Sequence, residues 1–435
     1  MIAPGISTRW QSLWHQSQRL MLHFPLSLAG LLIMVLAVLA LQGFGYQRMD
    51  LVVFALTICA LSILAASVVM VTVSGLVLKR RINILLQTAF PPLQAEATYP
   101  NDTGLKLPAY SWLPLMTLEW RVVAPDVMQT RVEFNADENC LEETVVPPLR
   151  CLGNELTRIF TVRDVLGLCR FSWRTSQPGT MLVLPKTGNL RSLPVLKSMD
   201  AEDGIPNPRG NPDGDRMDIR RYAPGDSVRN IMWRVYARNR HLNVRLPEKS
   251  MFQAERTLAY LVTGEDDEAA AGVARFAVTQ GALGAPWIFG ADGSDQIAKS
   301  AMAALPLIAG SRRPGKRPDY RLDYRLDDFL TQNGGQHSAC IIFAPARSGA
   351  WVTSLYTSMS RFPGPFTVVL ATDDMNQNEP SPWWQRMLWQ DPERKQGNQL
   401  SELRSLTDNL VRAGAQVLVV DRQSGQCFDQ RLKRV

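Results

Sequence analysis

The sequence predicts a membrane helical hairpin, then a small antiparallel β domain, then a Rossmann-type α/β domain with a parallel sheet. Three observations predict it. Two long charge-free runs lie near the N-terminus, short alternating apolar runs follow, and strand-like and helix-like runs then alternate to the end. At 435 residues the chain is too long for one ordinary core, so several domains are expected.

The hairpin comes first. "FPLSLAGLLIMVLAVLALQGFGY" runs from Phe24 to Tyr46 and "LVVFALTICALSILAASVVMVTVSGLVL" from Leu51 to Leu78, both without a charge. Each exceeds the roughly 20 residues that cross about 30 Å of hydrocarbon. The first is not a cleaved signal peptide: it lacks a small-residue cleavage site, and a second span follows at once. The link "QRMD" is short, so residues 24–78 form a tight hairpin. Arg9 and Arg19 precede it, Lys79, Arg80 and Arg81 follow it, and Arg48 in the link is offset by Asp50. The positive-inside rule then puts both termini in the cytoplasm. Residues 1–23 are a cytoplasmic lead-in whose Trp10, Leu13, Trp14 and Leu20 suit either an interfacial helix or a loosely ordered segment.

Charge and cysteine usage narrow the class. The net charge of +7 is modest for this length, which suits an anionic lipid bilayer and gives no reason to expect nucleic acid. The six cysteines form no CxxC pair and no zinc-type cluster, so they read as free thiols in a reducing compartment.

Residues 79–104 read as a juxtamembrane connector and residues 105–200 as the β-rich domain. "MTLEWRVVAP", "TRVEFNAD", "ELTRIFTVRD", "CRFSWRT" and "TMLVLPK" alternate apolar and polar positions, with turn residues between them. This rhythm predicts a sandwich or barrel. The linker "DAEDGIPNPRGNPDGD" opens an Arg-rich segment, 201–254.

From 255 to 435 the rhythm is α/β. Strands are expected at "RTLAYLVTG", "APWIFGA", "SACIIFAP", "FTVVLAT" and "QVLVVD". Helices are expected at "EAAAGVARFAVTQ", "SDQIAKSAMAALPLI", "YRLDDFLTQ", "WVTSLYTSMSR" and "LSELRSLTDNLVRAGA". Uninterrupted apolar strands separated by helices imply a parallel sheet covered on both faces. No GxxxxGK[ST] and no GxGxxG occurs, which argues against nucleotide binding by those devices.

The densest stretch is "RRYAPGDSVRNIMWRVYAR", residues 220–238. Pro224-Gly225 makes a turn, Asp226 or Ser227 caps a helix, and Val228, Ile231, Met232 and Val235 give it an apolar face. Residues 209–245 hold nine arginines, four aspartates and no lysine. That preference points to planar, bidentate pairing with carboxylates or phosphates. Two readings stay open: Arg-Asp pairs that lock a structural joint, or a site for an anion or acidic partner. No nucleophile, His-carboxylate pair or metal cluster accompanies the arginines, so no catalytic residue is assigned.

"MDIRRYAPGDSVRNIMWRVYARNRHLNVRLPEK" resembles the signature of the family catalogued as domain of unknown function fifty-eight. Its R-x-Y-x-x-G-D-x-x-R-x-I-x-W, A-R, L-x-V-R and glutamate letters are matched by Arg220, Tyr222, Gly225, Asp226, Arg229, Ile231, Trp233, Ala237, Arg238, Leu242, Val244, Arg245 and Glu248, with Arg221 beside them. "FTVRDVLGLCRF" and "LVLPK" resemble two further segments of that family. The resemblance implies a multi-pass protein of a prokaryotic cytoplasmic (inner) membrane and a von Willebrand factor A-like C-terminal domain. It implies a MoxR-type AAA+ ATPase as partner, with von Willebrand factor A and transglutaminase-like membrane proteins as neighbours. The expected role is a membrane-anchored scaffold or adaptor for that ATPase in assembly, maturation or envelope maintenance; no enzyme reaction is implied. The alternative is an envelope-associated processing enzyme with an unrecognised active site.

The sequence departs from that pattern after the first α/β strand. A metal-binding domain of the von Willebrand type carries D-x-S-x-S there, whereas this chain reads "TGEDDEAAAG". Carboxylates favour a helix N-terminus, so the acidic run reads as a solvated helix start, with no metal and no cofactor expected. "SRRPGKRPDYR" at 311–321 reads as a solvated or lipid-facing basic loop. Trp383, Trp384 and Trp389 in "PSPWWQRMLWQ" form either a partner or membrane patch or a satellite core.

Overall fold

A computed structural model describes residues 25–47, 50–110, 115–193, 205–206, 217–224, 228, 231–247, 251–252, 256–284, 286–312, 325–335, 338–362, 364–373 and 400–434. It divides into two compact units, Met1–Leu184 and Pro185–Val435.

The first unit opens with α1 (Leu28–Ala40), which runs on as a π-helix over Leu41–Tyr46, and with α2 (Leu51–Leu85). Both are long and apolar enough to cross a membrane. Each start is capped as short polar residues cap helices. Ser27 Oγ accepts from the Gly30 amide, and Asp50 Oδ1 accepts from those of Val52 and Val53.

Helix α2 is the first departure from expectation. At 1.5 Å per residue its 35 residues extend about 52 Å, well beyond the bilayer core. It continues through Lys79–Arg81, and Leu64, Val71, Gly75, Leu78 and Ile82 recur on one buried face. Val71, Leu78, Ile82 and Leu86 join a core with Trp120, Phe160, Phe171 and Trp173. Part of the apolarity that reads as membrane span therefore faces a β-sheet. Gly75 permits the approach: a Cβ there would lie 2.4 Å from Phe171 Cδ1.

Seven strands follow among the described residues: β1 (Leu93–Glu96), β2 (Asn101–Pro108), β3 (Met116–Ala124), β4 (Gln129–Asn135), β5 (Cys140–Val146), β6 (Cys151–Asp164) and β7 (Arg170–Leu184). They form two sheets, β1-β7-β6-β3 and β2-β5-β4, antiparallel except where β1 runs parallel to β7. Residues 79–104 are thus not a connector. They finish α2 and supply β1 and β2, because Ala95, Ala97 and Leu105 have core to fill. "CRFSWRT" and "TMLVLPK" are one strand rather than two. Pro178-Gly179 does not end β7; Gly179, at φ +153, leaves room for the Phe90 ring.

Between the sheets lies a fully buried ion pair. Arg158 Nη2 of β6 meets Glu143 Oε2 of β5 at 2.7 Å, with neither side chain exposed. Trp120 Nε1 donates to Glu143 at 2.8 Å, Thr103 Oγ1 donates to the same carboxylate, and Arg158 Nη1 donates to Gln177 Oε1 at 2.7 Å. Gln177 Nε2 reaches the Thr88 carbonyl just past α2. Each charge is compensated, which a buried pair requires.

The second unit begins at Pro185, ahead of the expected boundary near residue 200. Leu190 and Leu193 sit in the α/β core, so the segment after β7 belongs with that domain. The Arg-rich segment contains β8 (Ile205–Pro206), β9 (Met217–Arg221), α3 (Trp233–Asn239), β10 (Asn243–Pro247) and β11 (Met251–Phe252); β8 pairs with β11 and β9 with β10, both antiparallel.

The α/β part contains β12 (Arg256–Leu261), α4 (Glu268–Thr279), β13 (Trp287–Ala291), α5 (Ala301–Gly310), α6 (Leu326–Asn333), β14 (Ser338–Pro345), α7 (Ala350–Arg361), β15 (Phe366–Thr372), α8 (Leu400–Arg412), β16 (Gln416–Asp421) and β17 (Cys427–Phe428). The sheet order is β13-β12-β14-β15-β16-β17, parallel except for β17. Two buried clusters lie against it, one containing α4 and α5 residues and the other α6, α7 and α8 residues. The parallel sheet is thus covered by helices on both faces, with β12 between β13 and β14. Helix α5 starts at Ala301 rather than near 294, because Ser300 caps it and Ala298 forms an antiparallel bridge to Phe289 instead.

The described cysteines are free. Five are buried and Cys59 is exposed on α2. Burial pushes the Cys169 thiol up to about 11 and the Cys340 thiol well above its usual range.

Candidate functional site

Two places on the second unit are candidate sites. The first is the Arg-rich segment, which folds as β9, a turn, α3 and β10. Arg220 pairs in register with Val244, Arg221 with Asn243 and Ile219 with Arg245. The Tyr222 amide donates to the Leu242 carbonyl, and the Met232 amide to the Asn243 carbonyl. Ile231 bridges Val244, and both are buried. These two residues form the small apolar centre on which the hairpin closes.

The helix is shorter than expected. Its described α-helical part is Trp233–Asn239, with Met232 in the cap position. Val228 is exposed rather than on a buried face, and Ile231 bridges Val244 of β10. At the other end Arg240 takes a left-handed conformation, φ +52, and its amide donates to the Tyr236 carbonyl.

The polar surface is the informative part. Arg220, Arg221, Arg234, Arg238, Arg240 and His241 are all exposed, and Tyr222 is half-buried. Trp233 is 56% exposed, with its ring 6.2 Å from that of Tyr236 and perpendicular to it. Exposed tryptophan and guanidinium groups offer stacking and bidentate hydrogen bonding to carboxylates or phosphates. Gly225, Asp226, Arg229 and Glu248 lie outside the described residues, as does the Arg245 side chain. The expected cap and Arg-Asp pair at Asp226 lie outside them too. Trp383, Trp384, Trp389 and most of the basic loop are likewise outside.

The second place is the C-terminal edge of the parallel sheet, where doubly wound folds bind ligands. The acidic run after β12 is not simply solvated. Arg347, after β14, pairs with Asp266 at 2.9 Å and stands 3.9 Å from Glu265. Asp267 is buried and accepts from the Gly264 amide, and Glu268 is buried as well. A guanidinium of the chain itself thus faces Asp266 and Glu265.

Beside it lies a carboxylate that the sequence reading passed over. Asp292, after β13, is fully buried. Its oxygens accept from the Tyr260 hydroxyl at 2.8 Å, the Thr263 amide at 2.8 Å and the Arg325 amide at 3.4 Å. Burial raises its carboxyl to about 7, against the lowering effect of these donors. Burial and the neighbouring carboxylate push the Tyr260 hydroxyl well up. The signal available in the sequence was a lone aspartate ending the apolar strand "WIFGAD".

On the β unit, Glu138, Cys140 and Glu142 could together hold a metal ion. Lys106 Nζ occupies that position, 2.6 Å from Glu138 and 3.1 Å from Glu142, and hydrogen bonds to both raise its ammonium above the usual value. No protein-family model matches the chain, and no curated protein matches it.

Proposed function

We propose that this chain is a membrane-anchored scaffold or adaptor of the kind its signature resembles, presenting a cytosolic surface to a MoxR-type AAA+ ATPase. One observation carries the reading: Arg221, Arg234, Arg238, Arg240 and Trp233 are exposed, while the residues that close the hairpin are Ile231 and Val244. A structural lock would bury its guanidinium groups, whereas a recognition surface leaves them available to an acidic partner. Of the two open readings of the signature, exposure favours the second.

The rest is consistent with that role. Helices α1 and α2 have the length and apolarity of a hairpin anchor in a prokaryotic inner membrane. The helix-covered parallel sheet supports a von Willebrand factor A-like C-terminal domain. In that comparison Arg347 faces the acidic loop where such domains hold a cation.

Affinity capture from solubilised membranes tests the proposal. An AAA+ ATPase should be recovered with the intact chain and lost with Arg234→Glu plus Arg238→Glu. Recovery of the ATPase undiminished by the double variant would overturn the assignment of the surface.

A further inference from the structure

The β6–β7 turn and the start of α1 are one structural unit. The Ser27 amide donates to the Leu168 carbonyl at 2.8 Å, and Ser27 Oγ donates to the Gly167 carbonyl at 2.7 Å. The Arg170 amide donates to the Pro25 carbonyl at 2.9 Å, and Leu26 bridges Cys169 in antiparallel fashion. A Cβ on Gly30 would lie 2.2 Å from the Leu168 carbonyl oxygen, so the turn presses directly on the first helical turn. Its height along α1 is thereby set at residues 27–30.

That turn presents bare aliphatic side chains. Val165 is 63% exposed and Leu166 64%. Leu115, whose carbonyl accepts from the Val165 amide, is 72% exposed. One rung behind, Arg163 and Arg170 are cross-strand partners with exposed side chains; Arg163 also faces Glu119 at 3.6 Å. With Arg121 they line an open groove of about 520 Å³. Aliphatic groups at a tip, with guanidinium groups one rung back, match the layering of a bilayer surface, where hydrocarbon lies beneath anionic headgroups.

We propose that the β6–β7 turn is a second membrane contact, with Leu115, Val165 and Leu166 inserted into the edge of the hydrocarbon and Arg163 and Arg170 at the level of anionic headgroups. The occupant of this patch is lipid because the turn that carries it is hydrogen-bonded, through Gly167 and Leu168, to the Ser27 cap of a helix that carries no charge from residue 28 to 46. The proposal rests on α1 and α2 spanning the membrane. It adds that the β unit is held against the bilayer as well as tethered to it.

Site-directed spin labelling of the full chain, with Cys59→Ala to remove the exposed thiol, tests it in nanodiscs of mixed phosphatidylglycerol and phosphatidylcholine. Labels at Leu166→Cys, Leu36→Cys and Glu133→Cys are compared for collision with oxygen, which partitions into lipid, and with a nickel chelate, which stays in water. The expected result is oxygen preference at Leu36, a smaller oxygen preference at Leu166 and nickel preference at Glu133. In discs of phosphatidylcholine alone, the Leu166 label should shift toward nickel by severalfold. Nickel preference at Leu166 beside oxygen preference at Leu36 would overturn the proposal while leaving the anchor intact. Nickel preference at Leu36 would overturn the anchor, and the proposal with it.

Discussion

Arg158 and Glu143 face each other across the two sheets of the β unit at 2.7 Å, and neither reaches water. The pair joins β6 to β5, and through Gln177 and the Thr88 carbonyl it connects to the end of α2. A buried pair of this kind costs more to break than it contributes when intact, since the surviving charge has nowhere to be solvated.

Arg158→Met should therefore destabilise the β unit by about 3–5 kcal/mol. Adding Glu143→Leu should recover much of that loss, because no charge is then left alone. Thermal unfolding in detergent, analysed as a double-mutant cycle, measures this. Additive losses would contradict the coupling.

Asp292 predicts a pH dependence. Its folded value, about 7, lies above the ordinary 3.8. Below about 4 both folded and unfolded forms are protonated and no penalty arises. As pH rises toward 7 the unfolded form ionises first, so the stability contributed by the neutral carboxyl is lost between about 4 and about 7. The loss is on the order of 4 kcal/mol. Denaturant unfolding from pH 4 to 8 should show this slope in the parent and not in Asp292→Asn.

Gly75 predicts a steric limit. Its missing Cβ is what lets α2 lie on Phe171. Gly75→Leu should cost about 1–3 kcal/mol by overpacking. Gly43→Ala, with no atom near its Cβ position, is the control. Limited proteolysis of the β unit should accelerate only for the first.

The signature hairpin separates fold from recognition. Trp233→Ala should change stability by less than about 0.5 kcal/mol, since the ring is largely exposed, and yet weaken partner capture at least tenfold if the ring is an anchor. Ile231→Ala should do the reverse and loosen the hairpin, by about 2 kcal/mol. Circular dichroism and capture assays on the two variants should give opposite patterns.

Flanking charge predicts topology. A reporter active only outside the cytoplasm, fused after Val435, should be silent, and a cytoplasmic one active. Strong activity of the first would reverse the orientation of the anchor.

The α/β strands from Arg256 to Asp421 were legible because a buried parallel strand must be apolar on both faces, and such runs are visible residue by residue. The two helices were legible for a related reason: a charge-free run of this length has few other uses. Local sequence also located the Arg-rich segment, whose composition alone marks it. What it could not decide was which solvent each apolar residue meets. Val71 and Leu78 look like lipid-facing residues but lie on a β-sheet, while Leu166 looks like an ordinary turn leucine but stands beside a candidate span. The Glu143–Arg158 pair, 15 residues apart, and the Asp292–Tyr260 contact, 32 apart, exist only once the sheets form. Strand order places those partners, and neither composition nor spacing encodes strand order. The same holds for the signature: its letters mark the segment, but only the closure of β10 on β9 around Ile231 leaves Arg221, Arg234, Arg238 and Arg240 outside.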